Sequence, residues 1–492
     1  MITINSHFSL KKFLYIAIFI QLFRLVVLYF FLQKHDLYVD EVYYWGWSNV
    51  IEYGYYSKPP VIAWLIKLAT TLFGESEIAL KISSIIIYPI TSSVLYLIAY
   101  RLFKDKKIAF YSAFAFLTLP AISLSSMIIS TDVVLLLFWA LSLYFFLKAI
   151  EDNHLIDWIF VGIFSGFGML SKYNMIFFLV SVVLVLILNK NYRVHFKNRF
   201  FYSALFISIL IFIPNLYWQY SHDFVSFVHT KEISQIDKAL FHPKKFLEFF
   251  GSQFGVFGPL FFAMLLYLLY KIKSLLKEQE MQFLYLFVLP YFVFIHILSI
   301  LTRAFANWSA PIYVAATILV VSFLIKKGKD KLLLWAIGLN IAISLVAYLY
   351  HPVVNVLNVE LSAKSDPAKR VFGWSKLAKE VQKVQKEHNL KLLFNDRTTM
   401  AEMIYYIKPH PFDSLMFSPR KSIKNQYELK NRLESRHIGD SFLLIVKAGV
   451  SPTAFSKSFE RVELLKSIEI PLYKDYNLDY RVYKVENFKG YL

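Results

Sequence analysis

Between Tyr38 and Pro60 the chain reads YVDEVYYWGWSNVIEYGYYSKPP, which sets two adjacent carboxylates, Asp40 and Glu41, and one ammonium, Lys58, at the edge of an apolar run. A carboxylate at a membrane–water boundary can take a proton from a hydroxyl as a general base. The same acids also suit the first turn of a helix VDEVYYWGWSNVI, where negative charge favours the positive end of the helix dipole. Lys58 precedes Pro59 and Pro60. A chain stiffened in this way can hold an ammonium as a point charge on a phosphate, although a lysine near a span end also snorkels. The aromatic patch, with Tyr55 and Tyr56, fits an interfacial belt and equally fits stacking surfaces for a sugar ring.

Further polar residues lie in or beside apolar runs. Asp132 opens TDVVLLLFWALSLYFFL, and Lys172 sits in GMLSKYN, where two apolar runs meet in a tight turn. His222 and Asp223 lie in YWQYSHDFVSF, and Arg303 and Asn307 in TRAFANWSAP. Asp132 also has the ordinary reading of a helix cap. Charges near membrane depth are costly and are paired or functional as a rule, and five loops interleave acids and cations here. Arg24, mid-run in FIQLFRLVVLYF, reads instead as a residue paired inside a bundle, with Gln21 one turn earlier on its face. The chain has no P-loop, dinucleotide glycine fingerprint, HExxH or DxD motif, so a nucleotide donor or the usual metal arrangement has no support.

The elements that must position these residues follow from composition. Of 492 residues, 57% are hydrophobic and 18% charged, with mean hydropathy +0.49, against about a quarter charged in globular domains. The expected fold is a polytopic α-helical membrane protein with about eleven spans. They fall near 13–32, 80–101, 108–122, 131–149, 157–171, 173–189, 200–218, 255–272, 282–300, 308–325 and 332–350. The first run is too long for a signal-peptide core and lacks a cleavage site, so it reads as a retained helix. Without cysteine there is no disulfide framework or thiolate metal site.

The net charge of +19 divides into +11 over residues 1–350 and +8 over 351–492. With the N-terminus cytoplasmic, eighteen Lys and Arg fall in the short inside loops, as the positive-inside rule expects. This distribution is topogenic and gives no reason to expect a nucleic-acid partner. It places 33–79, the turn at Thr131-Asp132, 219–254 and the turn at Arg303–Asn307 on the outer face. Residues 1–350 then form the membrane domain and 351–492 a small exported α/β domain. In the latter, 368–388 and 399–407 read as helices and 390–394 and 441–449 as buried strands.

The stretches VDEVYYWGWS, YGYYSKPPVIAWLI, STDVVLLLFWALSLYFFL, GMLSKYN, SHDFVSF and ANWSAP, in that order, resemble the bacterial glycosyltransferases related to protein O-mannosyltransferases. The lipid A aminoarabinose transferase is a more distant relative, and all belong to the C-type (GT-C) superfamily. The resemblance covers most of residues 30–320 and extends weakly through DPAKRVFGW and NQYEL. It implies a polyprenyl-phosphate sugar donor, inversion at the anomeric carbon, and catalysis at the periplasmic or extracellular face of the bacterial inner membrane. Asp40 matches the family's base. Lys58 matches the Lys-Pro that contacts the lipid phosphate in the aminoarabinose transferase, where many bacterial relatives have another residue, often His. The chemistry agrees: the base takes the acceptor's proton, and Lys58, Lys172 and Arg303, with Lys231 weaker, steady the charge on the leaving phosphate.

Glu41 and Asp223 are expected to hold hydroxyls or to position Asp40 and the cations. Tyr55, Tyr56, Asp132, His222 and Asn307 are expected to bind substrate. The implied partners are the lipid-linked donor, the bilayer, and an envelope acceptor: a protein hydroxyl, lipid A or another glycolipid. A divalent metal is compatible with the chemistry but no motif supports one. The alternative is a lipid-linked sugar flippase or transporter, which would carry inverted repeats and polar groups at the bilayer midplane. A binding protein that recognises envelope polymers through its exported domain is a third reading.

Overall fold

The computed structural model describes residues 8–234 and 241–491. The chain begins with α1 (Leu10–Leu32), the short α2 (Val39–Ser48), α3 (Val61–Phe73) and α4 (Glu77–Phe103). There follow α5 (Lys106–Thr118), α6 (Pro120–Ser125), α7 (Thr131–Asp152), α8 (Leu155–Ser171), α9 (Ile176–Leu188), α10 (Arg199–Ser221) and α11 (Val225–Ser234). The membrane part ends with α12 (Pro243–Val256), α13 (Pro259–Tyr270), α14 (Ile272–Leu275), α15 (Gln279–Leu301), α16 (Ala310–Lys326) and α17 (Asp330–Val356).

Among the described residues, seven helical stretches are long and apolar enough to cross a bilayer, or up to eight if the bent pair α12–α13 is one span. The expected count of eleven is therefore not reproduced. The expected spans at 108–122, 157–171, 173–189 and 255–272 fall on shorter helices, α5, α8, α9 and α13, of 13, 17, 13 and 12 residues. The 116° bend between α12 and α13 turns on Gly258, whose φ of +93° disfavours a side chain and whose Cβ would collide with the Asn340 carboxamide.

The bundle buries a continuous apolar core from Phe13 to Ile337. Within it Arg24 is 2% exposed. Its guanidinium donates to Leu117 O (2.8 Å), Ser123 Oγ (2.8 Å) and Ser126 Oγ (3.1 Å). It is satisfied by neutral acceptors near α6 and not by Gln21, whose amide has no partner among the described residues. The basic loops gather at one end of the bundle through ion pairs: Arg101 with Glu151 and Asp152, Lys107 with Asp330, and Lys326 with Glu278.

The C-terminal part contains α18 (Trp374–His388), β1 (Lys391–Phe394), α19 (Arg397–Tyr406), β2 (Leu415–Met416), α20 (Gln426–Lys430), β3 (Phe442–Lys447), α21 (Thr453–Ser456), β4 (Phe459–Tyr473) and β5 (Tyr476–Phe488). The sheet order is β2-β1-β3-β5-β4, parallel between β1 and its neighbours and antiparallel beyond β3. The expected helix over 368–388 starts only at Trp374, because Gly373 takes φ +86° and the cap comes from elsewhere in the chain. Asp36, between α1 and α2, accepts from Trp374 N (2.8 Å) and Ser375 N (3.3 Å). This cap ties the C-terminal part to the end of the first membrane helix.

Candidate active site

The end of the bundle opposite the basic loops is built around α2. Glu41 lies at the third position of that helix and accepts from Tyr38 N at 3.0 Å, closing its first turn. Both its oxygens also accept from Lys81 Nζ on α4 at 2.7 Å, and Oε1 accepts from Ile129 N at 2.9 Å. The Glu41 side chain is 1% exposed. It pins α2 to α4 and to the turn before α7, leaving no face for a substrate hydroxyl. The expectation that Glu41 holds hydroxyls thus gives way to a buried ion pair, and Lys81 is a partner that sequence reasoning missed.

Asp40 points the other way, with its side chain 42% exposed. Its Oδ1 lies 3.3 Å from Arg397 Nη2, at the first position of α19. Arg397 also lies over the Tyr43 ring at 4.7 Å, a cation–π contact. Tyr43 is held in turn, because its hydroxyl accepts from Gln426 N at 2.5 Å. The C-terminal part therefore reaches the acid through α19. No periodicity around NDRTTMAEMIYY signals this role, since Asp396 reads only as the helix cap that it is.

Lys58, on the irregular segment before α3, is half-buried and makes no ion pair among the described residues. Burial, reinforced by the charge of Lys172, pulls its ammonium down to about 8, against the opposing pull of Asp132 and Asp40. Asp132, on the first turn of α7, accepts from Lys172 Nζ (2.6 Å) and Asn307 Nδ2 (2.8 Å). Three separate segments, carrying Asp132, Lys172 and Asn307, thus meet at one carboxylate, and the charges of Asp132 and Lys172 reach Lys58.

Tyr55, expected to bind substrate, is 1% exposed. Its hydroxyl donates to Val50 O (2.8 Å) and its ring stacks on Trp47 at 4.8 Å, so it shapes the loop from below. Tyr56 packs its ring on His229 of α11 at 4.5 Å. Burial, then the charge of Lys58, pushes the His229 imidazole down to about 4, which leaves it neutral at physiological pH. His229 is another residue that sequence reasoning passed over.

The outer loops are fastened to each other. Gln219 Nε2 donates to Ser226 Oγ (2.7 Å), whose hydroxyl donates to Tyr55 O (2.8 Å). Gly54 admits the Trp218 ring so closely that a Cβ would overlap it at 2.4 Å.

His222 stacks on Trp218 at 4.0 Å, Asp223 is exposed in the turn after α10, and Arg303 is exposed over the Phe305 ring at 4.1 Å. Asp132, Lys172 and Asn307 are brought into direct contact, whereas no hydrogen bond or ion pair among the described residues joins His222, Asp223 or Arg303 to them. Lys231 lies on α11. Among the described residues no three His, Cys, Asp or Glu side chains come together in a way that could hold a metal ion.

The profile of the dolichyl-phosphate-mannose-protein mannosyltransferase family matches residues 57–218, a stretch containing Lys58, Asp132 and Lys172. The lipid A galacturonosyltransferase RgtD of Rhizobium johnstonii is 28% identical over 452 residues, 91% of this chain and 92% of that protein. The fold is similar to that of ArnT from Cupriavidus metallidurans bound to undecaprenyl phosphate, with a TM-score of 0.61, covering 96% of this chain and 97% of that one at 13% identity. In sequence and in fold the chain is thus similar to sugar transferases of the C-type (GT-C) superfamily. Within this superfamily an undecaprenyl phosphate-α-4-amino-4-deoxy-L-arabinose arabinosyl transferase of Pseudomonas savastanoi is 26% identical over 163 residues, 32% of this chain and 31% of that protein. These relatives are transferases of sugars; the ArnT structure is bound to undecaprenyl phosphate, and the Pseudomonas savastanoi protein is named for an undecaprenyl phosphate-linked aminoarabinose.

Proposed function

We propose that this chain is an inverting glycosyltransferase. It moves a sugar from a polyprenyl-phosphate donor to a hydroxyl of an envelope glycolipid, at the outer face of the bacterial inner membrane. The observation that carries the reading is the half-exposed Asp40 carboxylate, held by Arg397 at the same end of the bundle as the Lys58 ammonium, which has no ion pair among the described residues. A glycolipid acceptor is favoured over a protein hydroxyl by the similarity, over nine-tenths of the chain, to a lipid A galacturonosyltransferase.

In this reading Asp40 accepts the proton of the acceptor hydroxyl as its oxygen attacks the anomeric carbon from the face opposite the phosphate. The bond from anomeric carbon to phosphate oxygen breaks, and polyprenyl phosphate leaves with one more negative charge. Lys58 meets that developing charge. The Lys172–Asp132–Asn307 group fixes the wall beside it. Phosphate is a good leaving group, so no second, protonated carboxylate is needed, and Glu41 is free to serve the fold. Arg397 keeps the Asp40 carboxylate aimed.

Replacing the base tests the reading. Asp40→Asn should lower transfer from a polyprenyl-phosphate sugar to purified lipid A by about 10²–10⁴-fold, with membrane insertion and thermal unfolding unchanged. Arg397→Gln should lower the transfer rate with the donor KM unchanged, because the carboxylate loses the contact that aims it, and Arg397→Lys should restore part of it. Substantial transfer by Asp40→Asn would end the base assignment. Wild-type transfer to a protein acceptor with none to lipid A would end the glycolipid assignment.

A further inference from the structure

A cavity of about 540 Å³ lies between the C-terminal end of α2 and the C-terminal part. None of the groups assigned to the transfer step lines it. The helices α2 and α19 lie side by side and point the same way. Asp40 and Arg397 meet at their starting ends, and Trp45 packs edge-on against Tyr405 at 4.9 Å further along. Gly46 and Ile404, on the same two helices, line the cavity. Six residues of helix separate Gly46 from Asp40, a rise of about 9 Å. The cavity is thus a second station on one seam, with the base at the other end.

Its walls select a class of ligand. Trp47, Tyr55, Tyr427 and Phe412 supply aromatic surface, and Phe412 is 42% exposed. Asn49 and Asn431 spend their amide N–H groups on backbone carbonyls, which leaves their carbonyl oxygens to accept. The two charges in the wall, Glu52 and Lys430, cancel in an ion pair of 2.7 Å, so the cavity holds no net charge to attract a phosphate. An acyl chain would strip water from the amides and the ion pair without replacing those hydrogen bonds. Aromatic faces, amide acceptors and balanced charge together suit a neutral, hydroxyl-rich ring.

We propose that this cavity is an acceptor subsite, which binds a neutral sugar ring of the acceptor saccharide away from the hydroxyl that Asp40 deprotonates. The proposal rests on the transferase reading above. It makes the acceptor a glycan of more than one ring, laid along the α2–α19 seam.

The test uses the full chain in nanodiscs, with Phe412→Ala and Lys430→Ala. Both side chains are partly exposed, so their loss leaves the core intact. Each variant should raise the KM for lipid A about tenfold, the equivalent of one lost stacking face or hydrogen bond. The donor KM and the slow hydrolysis of donor without acceptor should stay unchanged. Binding of de-acylated lipid A saccharide, measured by calorimetry on Asp40→Asn, should weaken by the same factor when either substitution is added. Unchanged acceptor KM and unchanged saccharide binding would overturn the subsite while leaving the base assignment standing. Competition by a free fatty acid but not by the saccharide would show a lipid-tail pocket and overturn it as well. Full activity in Asp40→Asn would strike the transferase mechanism and not the cavity.

Discussion

At the scale of the residue, the group with the most measurable consequence is Lys58. A free lysine ammonium titrates near 10.4. Burial, with Lys172 adding to it, brings this one to about 8. The sign follows directly: below about 8 Lys58 is cationic and attracts a phosphate, and above it the unliganded protein loses that charge. The donor KM should therefore be flat to about pH 8 and then rise about tenfold per unit if donor binding requires the cation. Lys58→Arg, charged throughout, should abolish the rise, and Lys58→Ala should give a high, pH-independent KM. A wild-type profile that stays flat to pH 9.5, about one and a half units above the titration, would remove Lys58 from the phosphate. The same depressed value means that the folded state resists protonation here, so the unliganded protein gains stability as pH climbs from about 8 towards the free-lysine value. Asp40, Lys58, Asp132, Lys172 and Asn307 were all legible as residues, because a polar group at membrane depth has few ordinary explanations. The partners were not: Lys81 sits inside an apolar helix, and Arg397 lies on a helix with no functional pattern of its own.

At the scale of the element, α2 is held by one buried pair. Both oxygens of Glu41 engage Lys81, and both side chains are nearly sealed from water. Removing one charge leaves the other buried and unpaired, which costs about 3–5 kcal/mol. Glu41→Gln should lower the unfolding temperature in detergent and release the α2 aromatic cluster. The double substitution Glu41→Gln with Lys81→Met should recover much of that loss, because no buried charge is then stranded. Equal destabilisation by single and double variants would show that the pair does not govern the element. The membrane helices were visible as apolar runs, although the runs did not show which helices are short or that α12 and α13 fold back at Gly258. In the C-terminal part β1, β3 and α19 were visible from their apolar runs. The longest strands, β4 and β5, were not assigned, since charged residues interrupt ERVELLKSIEIPLY and YNLDYRVYKVENF and the pairing that orders them is between the two strands.

At the scale of the whole molecule, the basic loops collect at one end and the Asp40 group with the C-terminal part at the other. The proposed orientation puts the second end outside the cell. The chain has no cysteine, so single cysteines report cleanly. Lys364→Cys, exposed in the C-terminal part, should react with a membrane-impermeant maleimide on spheroplasts. Lys329→Cys, exposed at the basic end, should react only after permeabilisation. The reverse pattern would invert the topology and place the site in the cytoplasm. The Asp36 cap on α18 and the Arg397–Asp40 pair both cross between the membrane part and the C-terminal part, so the latter is a wall of the proposed site and not a detachable module.

The sequence by itself determined the solvent of this protein and the positions where polar chemistry meets the membrane. Hydrophobic run length and the cost of charge in lipid are properties of local composition, and a single chain displays both. Only the tertiary structure decided which of two neighbouring acids faces outward. Asp40 and Glu41 differ by one position on a helix, a rotation of about 100°, and that rotation has meaning only once α4 supplies Lys81 on one side and α19 supplies Arg397 on the other. The second cavity on the α2–α19 seam was beyond sequence reading for the same reason, because its walls come from segments more than three hundred residues apart.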